Sequence, residues 1–148
     1  MKSFRILFAA FLALGVTTFS ASAKEKWETK YDAAVAQAAK NNKMVLIDFT
    51  GSDWCTWCIK LDKDTFSKPA FQTYAAQNLV LLELDFPQGK PQPDAIKKQN
   101  AELAKKYGVE GYPTLVLLDA KGKEIARHEG YLEGGPDAFI KWVAAAKH

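Results

Sequence analysis

From Tyr31 onward the chain alternates between two hydrophobic periods. Tyr31, Ala34, Val35, Ala38 and Ala39 recur at the spacing of one helix face, so residues 31–40 read as a helix ended by Asn41-Asn42. Residues 44–49, Met-Val-Leu-Ile-Asp-Phe, are then almost wholly apolar, as in a strand buried on both faces. The break Thr50-Gly51-Ser52-Asp53 follows, with Ser52 or Asp53 placed to cap a helix that starts near Cys55 and runs towards Phe66. Pro69 opens a short helix over 70–77, Pro being at home in a first helical turn. A second buried strand reads over 79–84. Three prolines and a glycine make 86–93 a loop. A helix over 94–107 stops at Gly108. Pro113 precedes a third strand over 114–118, and the turn Asp119-Ala120-Lys121-Gly122 leads to a fourth over 124–128. Gly134-Gly135-Pro136 starts a last helix whose buried face is Phe139, Trp142, Val143 and Ala146.

Alternating helices and strands predict an α/β layered fold. The first strands should run parallel through crossover helices and the last two should form an antiparallel hairpin. The expectation is a single domain over 24–148 with one central mixed sheet and helices on both faces. No repeat or low-complexity tract interrupts it.

The first 23 residues follow a different pattern. Lys2 and Arg5 precede an apolar run from Ile6 to Val16, and Ala21-Ser22-Ala23 ends the stretch in small residues. This is the layout of a secretory signal peptide over 1–23. The run is shorter than the roughly 20 residues a membrane-spanning helix needs. Lys24, not a lipid-accepting cysteine, follows the small-residue end, so the expected product is exported, cleaved near Ala23 and not inserted in the membrane. The whole-chain formal charge of +3 includes Lys2 and Arg5, so the remainder is nearly neutral. Its lysines are scattered among acids with no basic stripe, which leaves nucleic-acid binding without an electrostatic footprint.

The chain has two cysteines, Cys55 and Cys58. They lie directly after a buried strand and at the start of a helix. Unpaired N–H groups and the helix dipole favour an anion at such a position. A cysteine there loses its proton more readily, and the thiolate is the nucleophile. Cys55 is the expected attacking thiol and Cys58 the thiol that resolves the mixed disulfide. A purely structural role is disfavoured: so short a loop constrains the unfolded chain by only about 2 kcal/mol. Zinc needs four ligands, and the candidates His128 and His148 are distant in sequence. Covalent haem would need histidine after the second cysteine, where Ile59 stands. No metal and no soluble cofactor is expected; the cysteine pair carries the electrons.

Two motifs about 55 residues apart carry a resemblance. One is Val45-Leu46-Ile47-Asp48-Phe49 leading to Trp54-Cys55-x-x-Cys58. The other is Tyr107-Gly108-Val109-Glu110-Gly111-Tyr112-Pro113-Thr114 before a strand and hairpin. Together they resemble the thioredoxin superfamily over roughly residues 43–147, and the stretch 49–55 resembles an exported bacterial branch. The resemblance implies a thioredoxin fold and a cis bond before Pro113, in a turn that faces the cysteines. It also implies that backbone beside Tyr112 pairs with a substrate strand. Asp48 is then the candidate proton shuttle for Cys58, or else a satisfied structural acid. Burial among apolar neighbours should raise its pKa. Asp48 lies one residue further from the first cysteine than in ordinary thioredoxin. The lysine that ordinary thioredoxin places near this acid is absent, the region reading Leu81-Leu82-Glu83. Trp54 is expected to pack beneath the active-site turn and shape it. Trp57, between the cysteines, is expected to be exposed, either as a contact anchor or as a screen over the sulfurs. The 86–93 loop is an insertion relative to the smallest members.

The implied function is thiol–disulfide exchange in the bacterial periplasm, with disulfide- or thiol-containing client proteins. Thr56-Trp57 has neither the Gly-Pro of common reductants nor the histidine of common oxidants. Without a nearby cation to stabilise its thiolate, Cys55 should be only moderately acidic, which favours a reductase, with isomerase activity as a variant. A reductase needs an electron donor, expected to be a membrane-bound protein with its own cysteine pair. The competing reading is a non-catalytic binding module or chaperone that holds clients on the same platform. A thiol metallochaperone for a soft ion is weaker still, methionine being nearly absent.

Overall fold

The computed structural model describes residues 25–146; the expected signal peptide lies outside them. Five strands and five α-helices follow in the order β1 (Trp27–Glu28), α1 (Tyr31–Asn41), β2 (Met44–Thr50), α2 (Thr56–Leu61), α3 (Pro69–Asn78), β3 (Leu79–Asp85), α4 (Asp94–Lys106), β4 (Thr114–Leu118), β5 (Glu124–Glu129) and α5 (Gly135–Ala145). The sheet order is β1-β3-β2-β4-β5. β1 and β2 each run parallel to β3, whereas β4 is antiparallel to both β2 and β5. The mixed sheet and its closing hairpin are as the hydrophobic periods predict.

β2 is central and fully apolar on one side. Val45, Ile47 and Phe49 face Ala34 and Ala38 of α1 and Leu103 of α4. Leu46 faces the other way, with Leu81, Leu115 and Leu117, towards α2, α3 and α5. Helices therefore cover both faces. Asn42 ends α1 in the left-handed region at φ 51°, a conformation that asparagine tolerates better than most residues. The Asp119 carboxylate closes the β4–β5 turn by accepting the N–H groups of Lys121 (2.8 Å) and Lys123 (2.9 Å).

Three features depart from expectation. β1 was not anticipated, because two residues are too few to show an alternating period. The helix after the cysteines is not one regular run to Phe66: α2 ends at Leu61 and Asp62–Phe66 widens into a π-helical segment, with Ser67 N–H donating to the Asp62 carbonyl at 2.8 Å. Neither Ser52 nor Asp53 caps α2. Cys55 is itself the N-cap, and the two expected caps are occupied elsewhere, Ser52 by Asp85 at the end of β3 and Asp53 by the β3–α4 loop.

The π segment rests on an aromatic cluster. Phe66 packs on Phe71 (4.9 Å between centroids) and Phe139 (6.2 Å), and Phe71 and Phe139 meet at 5.1 Å. Phe139 is completely buried and ties α5 to the segment that follows the cysteines. Phe139→Ala should lose about 3–5 kcal/mol of unfolding free energy in urea titrations; a loss under about 1 kcal/mol would show that α5 does not support this end of the sheet.

Candidate active site

The turn from β2 into α2 is built on one carbonyl. Gly51 O accepts N–H groups from both Trp54 (3.3 Å) and Cys55 (2.8 Å). Gly51 is required by the Trp54 ring, since a Cβ there would lie 2.5 Å from the indole. Cys55 follows in extended conformation, and its Sγ accepts the Cys58 backbone N–H at 3.2 Å. The two cysteines form a disulfide across 5.2 Å between their Cα atoms and are only 6 % and 5 % exposed.

The β3–α4 loop straps this turn from the side. Asp85 accepts the Ser52 backbone N–H (2.9 Å) and hydroxyl (2.6 Å). Asp53 accepts the N–H groups of Gln88 (3.0 Å) and Gly89 (2.7 Å), which, Gln88 foremost, hold its carboxyl below the usual carboxylate range. Trp54 Nε1–H donates to the Phe86 carbonyl at 2.8 Å. Loop 86–93 is therefore bonded to the cysteine turn, a role that composition alone does not reveal.

Tyr112 meets the same turn from across the sheet. It packs edge-on to Trp54 at 5.8 Å and against Phe86 at 5.0 Å. The bond from Tyr112 to the buried Pro113 is cis, as the resemblance implies. On the other rim Trp57 lies over Tyr131 at 5.5 Å. The Tyr131 hydroxyl donates to Asp64 at 2.9 Å, Lys60 pairs with Asp64, and the Lys60 ammonium lies 5.1 Å from the Tyr131 ring centre. Among the described residues, the exposed large apolar side chains are Trp54 (41 %), Trp57 (56 %) and Ile59 (49 %), all within four positions of a cysteine. Trp54 is more exposed than a residue packed wholly beneath the turn.

Behind the disulfide lies a cavity of about 300 Å³ lined by residues that include Asp48, Cys58, Asp62 and Glu83. Cys58 lines it and Cys55 does not. Asp48 is 6 % exposed, and its Oδ1 finds no hydrogen-bond partner among the described residues. Burial, and after it the negative charges of Glu83, Asp62 and Asp85, push its carboxyl well above the usual range. The extra residue between Asp48 and Cys55 is absorbed in the turn, since Asp48 still reaches the Cys58 side. Glu83 pairs with Asp48 across the β2–β3 ladder, where the sequence comparison leaves the lysine position empty.

A cysteine pair at the head of a helix, on a mixed sheet of this order, defines a thiol–disulfide oxidoreductase. A family profile described as a thioredoxin-like domain matches residues 31–147. The disulfide bond reductase DsbH of Chlamydia pneumoniae is 39 % identical over 126 residues, covering 85 % of this chain and 75 % of that protein. A solved structure described as DsbH oxidoreductase superposes with a TM-score of 0.80 at 37 % identity, covering 93 % and 94 % of the two chains. The thiol:disulfide interchange protein DsbD of Actinobacillus pleuropneumoniae serotype 5b is 34 % identical over 107 residues, covering 71 % of this chain but only 16 % of that much longer protein. The chain belongs to the thioredoxin-like family.

The elevated Asp48 carboxyl has a consequence for stability. Its folded form binds a proton more tightly than its unfolded form. Stability is therefore lost as pH rises above the unfolded carboxylate value of about 4, until the folded carboxyl itself ionises. Asp48→Asn should raise the unfolding midpoint at neutral pH, and the gain should vanish in acid. Parallel thermal melts across pH check this, and an equal gain at every pH would contradict it.

Proposed function

We propose that this chain is an exported reductase of protein disulfides, working in the bacterial periplasm after removal of residues 1–23. The observation that carries the reading is the asymmetry of the two sulfurs. Cys55 Sγ sits at the helix head with a backbone N–H directed at it, whereas Cys58 faces a cavity of carboxylates. The first environment favours thiolate and the second opposes it.

The chemistry follows from that asymmetry. In the dithiol form the Cys55 thiolate attacks one sulfur of a client disulfide. A Cys55–client disulfide forms, and the other client sulfur leaves and takes a proton. Cys58 then gives its proton towards Asp48 and attacks Cys55 Sγ. The Cys55–client bond breaks, the second client sulfur leaves and is protonated, and the Cys55–Cys58 disulfide remains. The client gains two electrons and two protons. A donor must restore the dithiol, and a membrane-bound protein with its own cysteine pair fits that need.

The direction is supported by the acids beside Cys58. A thiolate they penalise is a poor leaving group, so the reduced pair is not stabilised in the way a strong oxidant requires. Similarity to a protein named a disulfide bond reductase points the same way. The client surface is the exposed aromatic rim: Trp54 and Trp57 supply apolar contact, and backbone at Tyr112 and Pro113 pairs with an extended client segment. Disulfide- and thiol-containing proteins are the client class.

Mixing the pre-reduced protein with an oxidised protein client tests the reading. Client thiols should appear in step with formation of the Cys55–Cys58 disulfide. Cys55→Ser should abolish transfer, and Cys58→Ser should accumulate a covalent client adduct through Cys55. No transfer by the unsubstituted protein, with client binding that survives both substitutions, would instead favour a non-catalytic binding module or chaperone.

A further inference from the structure

The position beside Asp48 carries an acid where a cation would be the natural partner for a carboxylate. β2 and β3 run parallel in register, so Asp48 and Glu83 occupy facing positions, flanked by the facing pairs Leu46–Leu81 and Thr50–Asp85. Residues alternate across a strand, which puts both acids on the face that Leu46 and Leu81 define. Both line the cavity that Cys58 also lines. The Asp48 side chain aimed into it is more than nine-tenths buried, with Oδ1 unpartnered among the described residues.

We propose that Asp48 and Glu83 act as one coupled acid–base pair, with Glu83 the positioning residue that sets how Asp48 exchanges a proton with the Cys58 thiol. The inference rests on Cys58 being the resolving thiol of the reading above. Two carboxylates at facing positions resist ionising together, so they hold one proton in common and titrate as a unit. The other groups facing the pair add to the effect. Asp62 approaches from the π segment and Asp85 from β3, while β4 offers Leu115 beside Asp48 and β1 offers Trp27 to the cavity. The cavity is large and polar enough to admit water between the carboxylates and the sulfur.

In the resolving step the ionised carboxylate of the singly protonated pair takes the proton from Cys58 Sγ as that sulfur attacks Cys55 Sγ. The Cys55–client bond breaks, its electron pair leaves with the client sulfur, and that sulfur takes a proton from water. The same negative charge penalises a free Cys58 thiolate, so the reduced protein keeps Cys58 protonated until the mixed disulfide forms.

The test follows the Cys58 thiolate by its ultraviolet absorbance as pH is raised, in full-length protein carrying Cys55→Ser so that one thiol is read. Relative to that parent, Glu83→Gln should lower the Cys58 midpoint by about one pH unit. Glu83→Lys should lower it further, and Glu83→Asp should leave it near the parent value. Identical midpoints in all four would overturn the proposal, since a merely structural Glu83 changes unfolding but not the thiol. Carbon-13 NMR of the side-chain carboxyls in the oxidised, unsubstituted protein supplies a second readout that needs no variant to fold. Shared two-step curves for Asp48 and Glu83 support the pair, and independent single-step curves overturn it. Neither readout uses a client, so failure of client reduction is distinguishable from failure of this proposal.

Discussion

The active end of this molecule depends on how β2 turns into α2. Gly51 O gathers the N–H groups of Trp54 and Cys55, and the indole of Trp54 occupies the space a side chain at Gly51 would need. That arrangement stops the strand, starts the helix and leaves Cys55 as the cap. The cap is a sulfur rather than a hydroxyl or carboxylate, so the group that satisfies the helix terminus is also the group that reacts. Ser52 and Asp53, suited by composition to capping, are turned outward to bond Asp85 and the 88–89 backbone. The turn and the β3–α4 loop are therefore one unit. Tyr112 joins it through Trp54 and Phe86.

The second organising element is charge. β2 would bury a continuous apolar strip were it not for Asp48, and the cost of that carboxyl is compounded by acids on β3 and the π segment. Such a cluster weakens the fold at neutral pH, and the disulfide end is where that weakness is useful. The asymmetry between the two sulfurs follows from backbone geometry on one side and side-chain charge on the other.

Much of this was legible along the chain. The period-3.6 and all-apolar segments marked α1, β2, β3, β4 and α5 because burial on one or both faces leaves a direct trace in hydropathy, and the Gly108 stop marked the end of α4. The cysteine pair and the oddness of Asp48 were visible as residue types out of place with their surroundings, whereas the cis turn at Tyr112–Pro113 was implied by the resemblance to the thioredoxin superfamily. Other features leave no such trace. β1 is two residues long and exists through its pairing with β3. The π segment sets Phe66 against Phe71 and Phe139, contacts between segments that no local period announces. The 81–83 stretch reads as lacking the lysine partner of Asp48 until the register of β2 on β3 sets Glu83 itself beside Asp48, and the 86–93 loop reads as an insertion until Asp53 and Trp54 are seen to hold it. These are relations between distant segments, which a local pattern does not encode.

In the proposed function Cys55 and Cys58 form a reducing pair. Its most direct test is the reduction potential, measured by equilibrating the full chain in graded redox buffers and quantifying free thiols by alkylation. A reducing pair has a value near that of thioredoxin, about −270 mV, whereas a value near about −120 mV, that of a strong periplasmic oxidant, would contradict that role.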